Sequence, residues 1–352
     1  MYRKNDIILA VDYHDGNLVV RQLDTQTGEE RLLKHPTTAE NIRRIVDDAG
    51  VLAEASGGRV IWVMESTTGW ARVKDLLGSS AEMVVANVLE MPLAPKARRK
   101  KTDKIDTKRL LREIVSGNLP LAFQPPRPLR ELRRVVALRE SLVSRRTAVQ
   151  NWLNRYLAHE TWLDRDGLWS AVGMERLRSF AASLTGLDAV TWSVKLDELE
   201  HLALLIERVE AELIAIHKDW PLAQRIDEIY GIAEISSVSI LARIGPIRRF
   251  SNAEGLIAFA GLAPGVRQSD DTRHYGRIGG GGTDKQLRHY IIEATIWARR
   301  IPRYQATYER VKAKRGKKIG RLVVGRLLLR SIYKMLLDGV RFDRVPQNRV
   351  VA

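Results

Sequence analysis

The sequence predicts an α/β domain at the front, a long helical arm behind it, and a mainly α, strongly basic domain at the end. Three observations carry that reading: short apolar runs punctuated by turn signals before residue 90, heptad-spaced apolar residues from 135 to 216, and a charge excess confined to the last third. The boundaries fall at 1–124, 125–220 and 221–352, the first marked by Pro125, Pro126 and Pro128, which cannot continue a helix. The chain has 352 residues and no cysteine, which excludes disulfide scaffolds, thiolate zinc sites, iron–sulfur clusters and cysteine nucleophiles. No apolar run approaches the ~20 residues that span a bilayer. The opening Met1-Tyr2-Arg3-Lys4-Asn5-Asp6 leads into an apolar segment rather than a signal-peptide core, so the cytoplasm is the expected compartment.

In the front domain Ile7 to Val11 is a short apolar strand running into Asp12. The turn signal Asp15-Gly16 precedes a second strand at Leu18-Val19-Val20, and Thr27-Gly28 precedes a third at Arg31-Leu32-Leu33. Thr38 caps a helix through about Ser56, with Ile42, Ile45, Val46 and Leu52 on its buried face. Arg59 to Met64 is a buried strand ending in Glu65, Gly69 to Leu77 a short helix, and Met83 to Val88 a further strand. A last helix spans about Thr102 to Ser116. This βββαβαβα order is that of the ribonuclease-H-like (RuvC-like) fold.

Four acids fall where such a fold builds a metal site. Asp12 and Glu65 end strands, and Asp103 and Asp106 stand at i and i+3 on one face of the last helix. Mg²⁺ prefers hard oxygen ligands, and two ions ~3.5–4 Å apart stabilise both attacking and leaving oxygens in phosphoryl transfer. Taken singly, each acid also has a structural reading: Asp12 as a strand-end turn residue, Glu65 as a helix cap, Asp103 as an N-cap. The set of four in this order points to metal-assisted chemistry.

The charge distribution points to nucleic acid. Residues 241–352 hold 24 Lys and Arg against 8 Asp and Glu, so the whole net charge of +16 lies there. Such a field suits a surface that neutralises phosphates through counterion release; a solvated basic surface is the alternative. Lys312, Lys314, Arg315, Lys317, Lys318 and Arg321 are clustered, and Arg326 and Arg330 follow at helical spacing. A second cluster, Lys96 to Arg112, includes Lys100, Lys101 and Lys104 and is interleaved with Asp103 and Asp106, where it would bring phosphates to the metals.

In the middle, Val135, Leu142, Val149 and Tyr156 recur every seven residues, with Leu138, Arg145 and Trp152 on the companion register. Leu199, Ile206 and Leu213 do the same with Leu202, Val209 and Ile216. Two helices of an antiparallel arm follow, joined by an irregular or partly helical bend from Asp164 to Asp188. The pairing can form within one chain or between chains, and an ordinary bundle is equally open.

The last domain begins with helix, tight turn and helix: Ile226 to Ala233, then Ile235 to Ile244, stopped by Gly245-Pro246. This resembles a helix-hairpin-helix. A helix capped by Ser251 or Asn252 follows, stopped by Gly261 and Pro264. Val266 to Thr283 then reads as a polar loop with Arg267, Ser269, Asp270, Asp271, Arg273, His274, Arg277 and four glycines, Gly279 to Gly282.

At this point the chain resembles a known family. Asp12, Glu65-Ser-Thr-Thr-Gly69 and Lys101-Thr-Asp103-Lys-Ile-Asp106 at the front, with Phe259-Ala-Gly-Leu-Ala-Pro-Gly-Val-Arg-Gln-Ser269 and Leu287-Arg288 at the back, are similar to the transposases of the bacterial insertion-sequence family one-ten. The likeness covers nearly the whole chain. It departs from the family where Gly280-Gly281-Gly282-Thr283 stands in place of Ser-Lys-Xaa-Gly and where Ala233 replaces a turn glycine. The resemblance implies a DEDD domain binding Mg²⁺ through Asp12, Glu65, Asp103 and Asp106, and a nucleophilic serine at Ser269. It further implies donor and target DNA as substrates, a structured bridge RNA as guide, and a homotetramer built as a dimer of dimers.

Judged from the residues alone, Ser269 also reads as a solvated turn serine. Its setting among Arg267, Arg273 and Arg277, which could neutralise a pentavalent phosphate, favours a nucleophile. No phosphate-binding Gly-x-x-x-x-Gly-Lys-Ser/Thr loop is present, consistent with an exchange that needs no ATP. The expected function is therefore a site-specific DNA recombinase working through a 5′-phosphoserine. Nucleic-acid contacts are expected at Lys100, Lys101, Lys104, Arg267, Arg273, Arg277, Lys314, Arg315, Lys317 and Lys318. The alternatives are a metal-only nuclease of the junction-resolving kind, with water as nucleophile, and a non-catalytic architectural binder.

Overall fold

The structure is a computed structural model that describes residues 2–67, 69–91, 103–161, 163–263, 266–269, 272–275 and 282–344, with the main chain alone at 103–105, 160, 266–269 and 272–275. The chain divides into two compact units, Met1–Gln124 and Pro125–Ala352.

The first unit is a five-stranded mixed sheet of order β3-β2-β1-β4-β5. Strands β1 (Ile7–Tyr13), β2 (Asn17–Asp24) and β3 (Glu30–Pro36) form an antiparallel meander, while β4 (Val60–Glu65) and β5 (Glu82–Ala86) run parallel to β1. With helices α1 (Ala39–Ser56), α2 (Trp70–Leu77) and α3 (Asp103–Val115), the element order is the expected βββαβαβα. Thr38 caps α1 as expected, its side chain accepting from the Asn41 N–H. Leu52 is exposed; Ala49 and Ala53 complete the buried face in its place.

Period-two alternation sorts β1 onto two layers. Ile7, Leu9, Val11 and Tyr13 pack with α1 residues Ile42, Ile45 and Val46, whereas Ile8 and Ala10 pack with Ile61, Val63 and the α3 residues Leu110 and Leu111. The register of β1 on β4 is pinned at its start by Asp6, a fully buried acid. Its carboxylate accepts from the Arg3 N–H at 2.7 Å, the Arg59 N–H at 3.0 Å and the Arg59 guanidinium at 3.1 Å.

The second unit is mainly helical. α4 (Arg127–Glu160) and α6 (Gly186–Lys218) pair within the chain, and the expected bend between them contains a full helix, α5 (Ala171–Ser183). Arg139 meets Glu210 at 2.6 Å at one end, and Tyr156 meets Trp192 at a ring distance of 5.3 Å toward the other, so the pair is antiparallel. The core follows Leu142, Val149, Leu153 and Leu157, with Trp152 and Tyr156 half-buried against it, while Leu138 is exposed. A straight helix at 3.6 residues per turn drifts off a 3.5 repeat, which brings Leu153 to the seam beside Trp152.

The larger core joins the root of the arm to α7 (Pro221–Asp227), α8 (Glu234–Ile244), α9 (Ala253–Phe259), α10 (Lys285–Ala298) and α11 (Pro302–Asp338). Asn252, not Ser251, caps α9. The carbonyls at the end of α8 are closed by two arginines. Arg133 donates to Ala242 O at 2.7 Å and Arg243 O at 3.0 Å, and Arg249 donates to Ile244 O at 2.8 Å, as suits a helix C-terminus. α11 breaks at Gly316, whose φ of 83° is non-helical.

Candidate active site

Two of the four acids are brought together by strand register. Val11 pairs with Met64, so Asp12 and Glu65 follow side by side at the carboxyl ends of neighbouring parallel strands, where strands lie about 4.8 Å apart. Both are in phase with Ile8, Ala10, Ile61 and Val63, which face α3. Carboxyl ends of parallel strands are the usual place for a site in an open α/β sheet.

Asp12 keeps 14% of its side chain exposed, and the His14 Nε2 lies 3.3 Å from its Oδ1. Glu65 is half-buried. Asp106 is half-buried one turn before Leu110, the α3 residue that packs on this side of the sheet. Asp103 opens α3, and its side chain lies outside the described residues. Among the described residues no group of three His, Cys, Asp or Glu closes around a metal position. The donor chemistry of Asp12, Glu65 and Asp106 is nonetheless that of a hard cation, all carboxylate oxygen on one side of the sheet.

The Glu65 motif has a packing reason. A Cβ on Gly69 would stand 2.2 Å from Tyr13 Cε1, so only glycine lets the Tyr13 ring lie against the start of α2. Tyr13 follows Asp12 directly, and its hydroxyl accepts from Arg72. His14, Tyr13 and Arg72 were not marked by the sequence motifs. The signal available was position: His14 stands two residues beyond Asp12, the strand period.

In the second unit the segment expected to be a loop contains a hairpin, β6 (Val266–Ser269) and β7 (Thr272–Tyr275). Ser269 pairs with Thr272, Gln268 with Arg273 and Arg267 with His274, so Ser269 ends a strand. Asp270, Asp271, Arg277 and Gly279 to Gly281 lie outside the described residues, as do Lys96 and Arg98 to Lys101; Lys104 is described by its main chain alone. The Asp284 N–H donates to Phe259 O at 2.7 Å, tying together the two stems of the segment that carries the hairpin.

Of the terminal basic cluster, Lys314, Arg315, Lys317 and Lys318 are exposed around the Gly316 break. Arg326 and Arg330 differ from expectation. Arg326 donates to Leu262 O at 2.7 Å and Arg330 pairs with Glu254 at 2.7 Å, so both serve the fold.

Both parts have counterparts among known proteins. Residues 9–160 match a transposase family of the DEDD type found in IS110 elements, and residues 223–309 match the family described as "Transposase IS116/IS110/IS902 family". The chain is thus similar to the IS110/IS116/IS902 transposases in two separate stretches, with the match to their DEDD domain at its front. It is 23% identical over 229 residues to a Sinorhizobium fredii (strain NBRC 101917 / NGR234) protein named "Putative transposase y4pF/y4sB". That match covers 63% of this chain and 56% of the relative's length. No helix among the described residues is long and apolar enough to cross a membrane.

Proposed function

We propose that the protein is a DNA transposase that cuts and exchanges strands through a serine ester, with its acids assisting phosphoryl transfer. The observation that carries this reading is the juxtaposition of Asp12 and Glu65 at adjacent strand ends on the α3 side. The mixed sheet and its element order support a ribonuclease-H-like domain for that site. Asp12, Glu65, Asp103 and Asp106 would hold Mg²⁺, which supplies charge neutralisation at the phosphoryl oxygens when bound. The Ser269 Oγ forms a bond to phosphorus as the bond to the 3′ oxygen breaks, and the hydroxyl proton passes in net to the released 3′ oxygen. A second 3′-hydroxyl then attacks the 5′-phosphoserine, rejoins the backbone and returns the proton to Oγ. The ester conserves the phosphodiester, so no nucleotide is consumed.

Arg267, Arg273 and Arg277 are the proposed phosphate partners near Ser269. Lys100, Lys101 and Lys104 serve the acid site, and Lys314, Arg315, Lys317 and Lys318 hold flanking DNA. Family resemblance supports a bridge RNA as the guide and a tetramer as the working form. A metal-dependent nuclease using water, of the junction-resolving kind, is the second reading. It is favoured by the acids standing in a compact unit of their own.

Asp12→Asn and Asp106→Asn should each abolish recombination while leaving circular dichroism and nucleic-acid binding unchanged. Ser269→Ala should abolish covalent protein–DNA adducts on denaturing gels. Adducts persisting in Ser269→Ala would refute the serine ester. Wild-type activity in the acid variants, or under chelation, would refute the metal site.

A further inference from the structure

We infer that the cleft between α10 and the second half of α11 holds the backbone of a single DNA strand. The inference rests on DNA being the substrate and adds Lys285 and Arg288 to the proposed DNA contacts, with Lys318 shared between the cleft and the flanking basic cluster. Lys285, Arg288, His289 and Ile292 recur at i, i+3, i+4 and i+7, one stripe of α10. Lys318, Arg321 and Leu322 form the matching stripe on α11, and the two stripes line a cleft of about 560 Å³.

Its lining combines cationic side chains with apolar surface that includes Ile292 and Leu322. Lys285 and Lys318 are exposed and Arg288 half-exposed, and none of the three makes an ion pair among the described residues. Arg321 is held in place, its guanidinium donating to Thr295 Oγ1 at 3.0 Å and Ile292 O at 2.7 Å, with Glu293 at 3.6 Å. Of the other acids nearby, Asp284 is engaged in capping α10 through the Leu287 N–H at 2.8 Å and lies 3.8 Å from Arg243. Cations without acid partners on two facing helices are what a chain of phosphates neutralises, and Ile292 and Leu322 offer apolar contact to a sugar or base.

The dimensions select a single strand. Cavities of this size enclose a drug-sized ligand, comparable to one or two nucleotides and too narrow for a duplex. Position selects DNA: Asp284, tied to Phe259, places the start of α10 at the foot of the segment bearing Ser269.

The test is fluorescence anisotropy of a labelled single-stranded oligodeoxynucleotide over a salt series, using the full chain without divalent metal. Lys285→Gln/Arg288→Gln should lower the slope of log K against log salt by about 1.4, at roughly 0.7 per phosphate contact on a single strand. Lys285→Arg/Arg288→Lys should keep the wild-type slope, and Lys318→Gln alone should lose about 0.7. Arg155→Gln/Arg208→Gln, which removes equal charge from exposed arm positions, should leave the slope unchanged. An unchanged slope in both cleft variants, an equal drop in the arm variant, or a drop confined to RNA of the same sequence would each overturn the assignment. Binding is read without cleavage, so failure of the Ser269 chemistry leaves these slopes untouched, and failure here leaves the adduct assay untouched.

Discussion

Asp6 stands just before β1 and Asp12 near its end, and their surroundings separate a structural acid from the one proposed to hold metal. Asp6 is fully buried. Burial pushes its carboxyl up, yet hydrogen bonds from Arg3 and Arg59 outweigh that and hold it below its ordinary value of 3.8. A depressed carboxyl makes the folded state bind fewer protons than the unfolded one. Its contribution is therefore complete above pH 3.8 and disappears as pH falls through the lower folded value. Asp6→Asn should lower stability at neutral pH by about 2 kcal/mol, chiefly through weakened bonds to backbone N–H groups. Arg59 is 40% exposed, so solvent screens the ion-pair share. Urea melts at pH 7 and near pH 3 would check this: the gap between variant and wild type should narrow at the acid end. Asp12 is different in kind, since its setting is the open end of the strand beside Glu65 and His14. The same register that Asp6 secures at one end delivers Asp12 and Glu65 side by side at the other. A slip of one residue would send Glu65 to the opposite layer.

At the scale of elements, the turn from β4 into α2 controls how Asp12 is presented. Gly69→Ala would place a methyl against the Tyr13 ring, costing about 1–3 kcal/mol of overpacking and shifting the residue after Asp12. Recombination should fall by more than the melting temperature implies; a variant with full activity and a displaced Tyr13 would show that the ring plays no part in placing the acid. Much of this front unit is legible in the sequence, because Thr38, the apolar runs of β1 and β4, and the strand-end acids are local signals. Elsewhere local signals fail for physical reasons. The hairpin at Val266–Tyr275 is polar on both strands, so no apolar alternation marks pairing that main-chain bonds provide. Arg249, Arg326 and Arg330 count toward the basic excess, yet each meets a carbonyl or carboxylate of the fold. Only long-range contacts separate such arginines from those left for phosphate. The heptads correctly marked two helices that pair, while the exposed Leu138 shows that a repeat read over a few turns does not fix the seam.

For the molecule as a whole, the acids and the serine belong to different compact units, Met1–Gln124 and Pro125–Ala352. Recombination must hold four strand ends while they are exchanged, so several copies of each centre have to work together. In the proposed tetramer, the acid unit of one protomer serves the serine unit of another. That arrangement makes a prediction that a self-contained protomer does not. Asp12→Asn protein supplies an intact serine and Ser269→Ala protein an intact acid site, so mixed assemblies contain some composite centres with both groups intact. Mixing the two inactive proteins should restore part of the recombination, rising and falling with their ratio and greatest near equal amounts. Each protein titrated with itself should remain inactive. Complete absence of rescue across the ratio series, with mixed oligomers verified by co-purification of differently tagged chains, would place both groups within one protomer and discard the shared site.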